Sequence, residues 1–383
     1  MPPAILGAHS TGNGPSLSNK IDMSKLYLLE PEASPLVTLT QRLNKVRTVT
    51  NPQYHTQALR PLAQETTSQA YLVGATTIVV TDSTIFNVGD TLQNQRTFEN
   101  MLITAINYGT HTLTVTRAAG TTAAAAGNLN DILVRIGQAS AEGAGMPESN
   151  LASEEHIFNY TQIFRESFKI NGTFMATDTY TGDKLKLKAA QVARKIKGDM
   201  EMAFLYGERW ITGATTSAPR RKTAGLRAHI VTNSYNPAGT MTEAQFLQNF
   251  IAPVFRVGNN PERVLLCGET ILRCLHNYAT SKMNIFQEDN TLGFKCMRYI
   301  SPYGDLLVVR HPLMRNARNS QTAFAIDPNN ISRVVLKGRD LGMQPDRQAN
   351  DIDGYQAEML AECGLEVALE ETHGILDGVT GPA

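Results

Sequence analysis

The 383-residue chain lacks the usual marks of chemistry. Its four cysteines, Cys267, Cys274, Cys296 and Cys363, form no CxxC pair. That excludes a zinc ribbon or a dithiol redox centre and points to reduced, mostly buried thiols. The eight histidines are scattered, with no HExxH, no His/Cys metal spacing, no GxSxG and no GxxxxGK[ST] loop. Cys267, Cys274 and His276 lie close in sequence, but no nearby carboxylate orients them, and Cys267 sits in an apolar run that disfavours a thiolate. No catalytic centre, metal or cofactor is expected. No apolar run reaches the roughly 18–20 residues that span a bilayer. The start, MPPAILGAHS, has no basic region leading into an apolar one. Cytoplasmic synthesis without a membrane follows, and the sequons at Asn159, Asn171 and Asn330 read as chance matches. An excess of one charge sign is missing too: Lys+Arg and Asp+Glu are 35 each. Tight gripping of nucleic acid by its phosphates is therefore not expected, whereas many copies can stand side by side without strong repulsion.

What is present is an order of parts. Hydrophobic residues are 42% and charged residues 18%, the balance of an ordered chain with room for several domains. Residues 1–24 are a polar arm that cannot offset its own ordering entropy, so it is expected to lie against a neighbouring subunit. A short helix is expected near Ser34–Asn44, then strand and turn over 46–70, where Val46, Val49, Tyr54 and Leu59 fall. The expected partner is 158–176, where Tyr160, Gln162, Phe164, Glu166, Phe168 and Ile170 share one face by period two. The two stretches together read as a long hairpin arm. Between them TTIVV (76–80), MLITAI (101–106), HTLTVT (111–116) and DILVRI (131–136), punctuated by Gly and Asp, read as a small β-barrel or sandwich. Its expected role is a structural knob rather than a sugar or peptide binder, and GQASAEGAGMP (137–147) is its flexible exit.

A long helix is expected from about Tyr180 to Arg209, because Leu185, Ala189, Val192, Ile196, Met200 and Ala203 recur at steps of three or four. Thr181 or Asp183 is the candidate cap. The charges oppose the helix dipole, with Lys184, Lys186 and Lys188 early and Asp199, Glu201 and Glu208 late. Contacts to neighbouring subunits or a solvated polar face would each account for that. The loop 212–230 carries Arg220, Arg221 and Lys222, either solvated or facing an acidic partner or DNA. A helix over 242–256, a buried strand at 263–268, a helix at 268–279 and strands at 306–311, 322–327 and 331–337 make an α/β region. A charged turn, 338–351, is expected to project. Beyond it Leu365, Val367 and Leu369 alternate with Glu366, Ala368 and Glu370 as a strand with one wet face.

This order, with the helix KLKLKAAQVARKIKGDMEMAFLYGE (184–208) followed by AGLRAHI (224–230), resembles the tailed-bacteriophage major capsid proteins of the HK97 fold. The resemblance covers nearly the whole chain and is to the subgroup with a β-rich insert in the extended loop. It implies an α+β fold: an N-terminal arm (1–45), an extended loop (46–70 and 138–176), an inserted all-β barrel-like domain (71–137), a peripheral domain with a long spine helix (177–224 and 330–383) and an axial domain (225–329). Leu185, Ala189, Val192, Ile196 and Met200 are then the spine-helix core. Tyr160, Phe164, Arg165, Phe168, Arg339, Asp340 and Arg347 are candidate intersubunit contacts, and Arg220, Arg221 and Lys222 a candidate interior basic loop. The implied function is structural: self-assembly through pentamers and hexamers into an icosahedral head enclosing double-stranded DNA without tight sequence-specific binding. The implied partners are further copies of the chain, a portal, a decoration protein and a separate scaffolding protein, since the short polar start lacks the long charged helices of a built-in scaffold. Assembly in the host cytoplasm into the virion is expected. A Lys–Asn cross-link is not carried over, because the sequence does not single out a matching Lys, Asn and Glu set. The alternatives are an encapsulin-like compartment, a phage tail or receptor-binding component, and an unfamiliar enzyme with a pocket in the α/β region.

Overall fold

The computed structural model describes residues 34–59, 63–140, 142–143, 154–176, 184–216, 218–282, 287–289, 296–351 and 353–382. The polar arm, part of the flexible exit (141 and 144–147) and the candidate caps Thr181 and Asp183 lie outside the described residues. The chain forms two compact units, a body (Met1–Thr56 and His156–Ala383) and an insert (Gln57–Glu155). The body opens with helix α1 (Pro35–Arg42) and strands β1 (Val46–Val49) and β2 (Gln53–Ala58).

The insert holds β3 (Glu65–Ser68), β4 (Thr77–Val79), β5 (Asp90–Asn94), β6 (Asn100–Asn107), β7 (Thr112–Thr116) and β8 (Asp131–Gln138), in spatial order β3-β8-β5-β6-β7-β4. The outer strands meet: Gln69 N–H donates to the Val79 carbonyl and Thr81 N–H to the Thr67 carbonyl, each at 2.9 Å. The sheet therefore closes into a barrel and leaves no open edge. Ile78, Leu92, Met101, Leu113 and Leu133 point inward and are fully buried. The barrel begins at Glu65, not at the expected residue 71. ETTS carries no apolar alternation because its inward positions are Thr66 and Ser68.

Three carboxylates are buried in the insert and each meets an arginine: Asp90 with Arg135 (2.7 Å), Glu99 with Arg117 (2.7 Å) and Asp131 with Arg96 (2.8 Å). Burial alone would raise the Glu99 pKa, but Arg117 and the N–H groups of Ala125 and Ala118 outweigh it and hold the carboxyl below its ordinary range. The Arg96 guanidinium, helped by Asn94 and the Asn128 N–H against the cost of burial, holds Asp131 down at about 2. Both folded values lie below the unfolded ones. The stabilisation is therefore complete above roughly pH 4 and is lost as pH falls through the folded values. The thermal transition of the insert is expected to be level from neutral pH to about pH 5 and to drop between about pH 4 and 2. Glu99→Gln should lower it at neutral pH and flatten the acid limb. A wild-type transition unchanged at pH 2 would contradict these ion pairs.

The body continues with β9 (Glu155–Tyr160), β10 (Gln162–Asn171), the spine helix α2 (Lys184–Tyr206), β11 (Trp210–Thr212), β12 (Arg220–Lys222), β13 (Ser234–Tyr235), β14 (Gly239–Met241) and β15 (Glu262–Cys267). Helix α3 (Glu269–Lys282), β16 (Gln287–Asp289), β17 (Cys296–Ser301), β18 (Gly304–Arg310) and β19 (Ala323–Ile326) follow. Last come β20 (Ile331–Leu336), β21 (Gly342–Gln344), β22 (Gly354–Val367), β23 (Gly374–Leu376) and β24 (Val379–Pro382). A first sheet runs β1-β20-β22-β10, with β21 also on β22, and a second runs β13-β23-β19-β15-β18-β17-β16. Val264 to Cys267 of β15 are all fully buried, as befits a strand covered on both faces.

Helix α2 lies against the first sheet. Ile196, Met200, Phe204 and Leu205 bury in a cluster with Leu36, Val37 and Leu39 of α1, Phe164 of β10 and Ala361, Cys363 and Leu365 of β22. The stripe weakens toward the start of the helix. Leu185 and Ala189 are half-buried, and with Val192 they meet Phe168, Ile170 and Ala357. The helix stops at Tyr206, short of the expected Arg209, because the backbone crosses itself there. Gly225 N–H donates to the Gly207 carbonyl (2.8 Å), and a Cβ on Gly207 would stand 2.3 Å from the Ala203 carbonyl and 2.6 Å from that of Thr223. The glycines of AFLYGE and AGLRAHI are thus two sides of one close approach.

Several expectations are corrected. β10 is not a hairpin arm: it pairs with β22 from Gln162↔Cys363 to Asn171↔Gly354, because its apolar face is needed under the spine helix. β1 joins β20 in the body, so only β2 and β9 remain paired as the legs of the loop. The turn 338–351 does not project throughout, since β21 within it folds back on β22. Residues 374–382, expected beside the spine helix, join the second sheet through β23 and pair with β14 through β24. Residues 220–222 are strand, paired with β11, rather than loop.

Candidate intersubunit surface

Among the described residues of the body the candidate thiols and histidines do not come together as a reactive centre. Burial pushes the Cys267 thiol up to about 12, and burial likewise takes Cys363 to about 12. At neutral pH such thiols hold essentially no thiolate. His276 is exposed while Cys267 and Cys274 are buried, so the three do not form one site. Burial lowers His229 and His373 to about 4, leaving both neutral at physiological pH. Among the described residues no group of three or more His, Cys, Asp or Glu side chains is placed to hold a metal ion, and no helix is long and apolar enough to cross a membrane.

One of the acidic residues late in the spine helix has a use inside the subunit. Glu201 is fully buried and accepts the N–H groups of Leu36 (2.6 Å) and Val37 (2.9 Å), the first turn of α1. It also accepts from His311 Nε2 at 2.8 Å, while His311 Nδ1 accepts the Leu313 N–H. α1 has no side-chain cap of its own. Glu201 satisfies its orphan donors with a charge at the favourable end of the helix. Neither a solvated face nor an intersubunit contact is required at this position.

The face of the first sheet turned away from α2 carries a ladder of ion pairs. Glu358, Glu362 and Glu366 of β22 recur every four residues, which in a strand puts them on one side. Each is nearly buried and meets a half-exposed or exposed arginine from a different segment: Arg165 (2.6 Å), Arg339 (2.5 Å) and Arg47 (2.5 Å). Arg165 holds the Glu358 pKa below its ordinary range. The alternation at Glu366 and Glu370 is therefore not a wet face. Glu366 also accepts from Thr56, and Glu370 caps the backbone at Val231 and Thr232.

Beside this ladder β11 and β12 wall a cleft of about 480 Å³ with Ile163, Trp210 and Pro219 as apolar lining, the three cations Arg220, Arg221 and Lys222, and Glu362. Lys222 Nζ stands 5.4 Å from the centre of the Trp210 ring, a cation–π contact. Arg220 and Arg221 have no ion-pair partner among the described residues.

The expected contact residues divide. Phe164 and Phe168 are buried in the subunit's own core, 6% and 8% exposed, and are not surface contacts. Tyr160 is half-buried, edge-on to Phe158 at 5.8 Å. Arg165 and Arg339 belong to the ladder, Asp340 pairs with the buried Arg333 at 3.0 Å, and Arg347 bonds Gln344. Trp210, Glu358 and Glu362 were not singled out by sequence, and Glu201 only as one of the late charges opposing the helix dipole. The four-residue recurrence of glutamates in the last long strand was the one available signal.

Residues 7–380 match the family model of the SU10 major capsid protein. The major capsid protein of Pseudomonas phage PaMx41 is 22% identical over 321 residues, 80% of this chain and 76% of that protein. Two solved structures share the fold at 10% identity. The capsid of the native GTA particle aligns over 98% of this chain and all of its own (100%), with a TM-score of 0.53. The structure of Microbacterium phage Oxtober96 aligns over 96% of this chain and 98% of its own, with a TM-score of 0.51.

Proposed function

Because the chain belongs to the SU10 major capsid protein family, and is a structural, non-enzymatic component of a tailed-phage virion with the HK97 fold, we propose that its work is done by contacts between copies arranged around a DNA-filled head. Such shell proteins assemble as pentamers and hexamers. In this reading the first sheet and spine helix form the peripheral domain, the second sheet with α3 the axial domain, and β2, β9 and the insert the extended loop lying over a neighbour. A two-stranded ladder is marginal in water by itself, which favours its docking on another copy. Arg165, Arg339, Asp340, Arg347 and Tyr160 are the proposed contact residues of the peripheral domain.

The observation that carries the reading is a body that leaves large apolar side chains uncovered, Ile300 at 67%, Val231 at 74% and Trp210 at 48% exposed. Further copies would cover them. Each contact between copies can be weak, since every ~1.4 kcal/mol is a factor of ten and many act together. A separate scaffolding protein, a portal and a decoration protein complete the proposed assembly in the host cytoplasm. Net neutrality suits a wall that encloses DNA without condensing it. Shells recovered from infected cells are expected to protect double-stranded DNA from nuclease. Shells filled with a protein cargo and free of DNA would favour the encapsulin-like compartment instead.

A further inference from the structure

We propose that the cleft beside β11 and β12 is a docking site for an extended acidic peptide with apolar side chains at alternate positions, supplied by a protein other than this chain. The cleft holds three consecutive cations, Arg220, Arg221 and Lys222. On the adjoining sheet face each arginine of the ladder has its own buried carboxylate, whereas Arg220 and Arg221 have no ion-pair partner among the described residues. The one carboxylate in the cleft wall, Glu362, is already taken by Arg339 at 2.5 Å and by the Thr161 hydroxyl at 3.2 Å. The cleft therefore presents positive charge without compensation, and a complementary partner brings carboxylates.

Register and spacing set the form of that partner. Trp210 lies opposite Lys222 and Thr212 opposite Arg220, so these four side chains share one face of the two-stranded ribbon. Lys222 and Arg220 are two residues apart, roughly 6.5–7 Å along the strand. An extended peptide repeats at the same distance, so carboxylates at every second residue meet both cations. The apolar side chains between them cover the walls, where Ile163 is 50% and Trp210 48% exposed and Pro219 lies beside them. A nucleic-acid strand has no such side groups, and three phosphate contacts give only weak, salt-sensitive binding. This chain's own alternating acidic run, 365–370, is held inside the body by the pairing of β22 with β20 and by the Glu370 cap, which leaves a different protein as the source. Trp210 is then covered by this segment, and Ile300 and Val231, outside the cleft, by further copies.

The test titrates the full-length chain, below its assembly concentration, with a hexapeptide of alternating glutamate and leucine. Emission of Trp210, the single tryptophan, and the anisotropy of a labelled peptide report binding. Saturable binding with a blue shift of Trp210 is expected. Hexaglutamate and a hexapeptide of alternating lysine and leucine should each bind about tenfold more weakly or worse. Arg220→Glu combined with Lys222→Glu, both at exposed positions, should weaken the glutamate–leucine peptide by about tenfold or more with circular dichroism unchanged. The milder pair Arg220→Gln and Lys222→Gln should weaken it several-fold. No saturable binding, equal binding of hexaglutamate or of the lysine–leucine peptide, or binding indifferent to both charge changes would overturn the site. Tighter binding of a six-base oligothymidylate would give the cleft to nucleic acid. A Trp210 emission that shifts blue with chain concentration in the absence of peptide would give it to a second copy. Either result overturns the peptide partner.

Discussion

Glu201→Ala is expected to destabilise the unassembled subunit by about 3–5 kcal/mol, the cost of breaking a buried charged hydrogen-bond network by removing one partner. Three donors converge on this carboxylate, the N–H groups of Leu36 and Val37 and the His311 Nε2–H, and all are fully buried. Alanine strands all three, and each unsatisfied buried donor costs about 1–3 kcal/mol before relaxation. Glu201→Gln is the sharper variant. One amide oxygen can still serve two donors, but its NH₂ then faces the remaining N–H, so a smaller loss of about 1–3 kcal/mol is expected. Asp199→Ala, an exposed position two residues away, should stay within about 0.5 kcal/mol of wild type. Urea unfolding measures all three: a 3–5 kcal/mol loss lowers the midpoint by roughly 1 M or more. Limited proteolysis should also cut Glu201→Ala first near α1, since the carboxylate joins that helix to the spine across 165 residues of sequence. A Glu201→Ala midpoint equal to that of wild type would show that the network does not hold α1 in place.

Ile196→Asp is expected to abolish folding. The side chain is 1% exposed in the middle of the spine helix and belongs to the main core cluster. Losing its burial costs about 1.5–3 kcal/mol, and placing a carboxyl there without a partner adds several more, whether the group is buried charged or protonated first. Against a typical stability of about 5–15 kcal/mol that sum leaves little. Leu185→Asp supplies the contrast. Leu185 is only half-buried, and an acid near the start of a helix is favoured by its dipole, so a loss of about 1 kcal/mol or less is expected. Soluble yield and far-UV circular dichroism distinguish the two. Soluble, helical Ile196→Asp protein would contradict the assignment of this face to the core.

The spine helix and the strands at 263–268, 306–311, 322–327 and 331–337 were legible because long apolar periodicities, or continuous buried runs, survive in sequence whatever surrounds them. The inward face of β10 was legible too, but what it faced was not. Phe164 and Phe168 form an apolar stripe that suits a neighbour's surface or the subunit's own helix equally well, and only the long-range pairing with β22 decides for the latter. Glu201 looked like a surface acid because residue type usually signals exposure. Its burial depends on α1, which lies far upstream and has no cap of its own. β3 was missed since Thr66 and Ser68 point inward in place of apolar residues. The cleft was half visible: the three cations stood out, but a three-residue ladder with Trp210 is too short for any period to reveal.

Negative-stain electron microscopy of the chain, produced with and without the products of its neighbouring phage genes, tests the assembly claim most directly. Closed icosahedral shells, with subunits grouped in fives and sixes, are the predicted result when the scaffold is present. Discrete small oligomers under the same conditions would contradict assembly as the function of this surface.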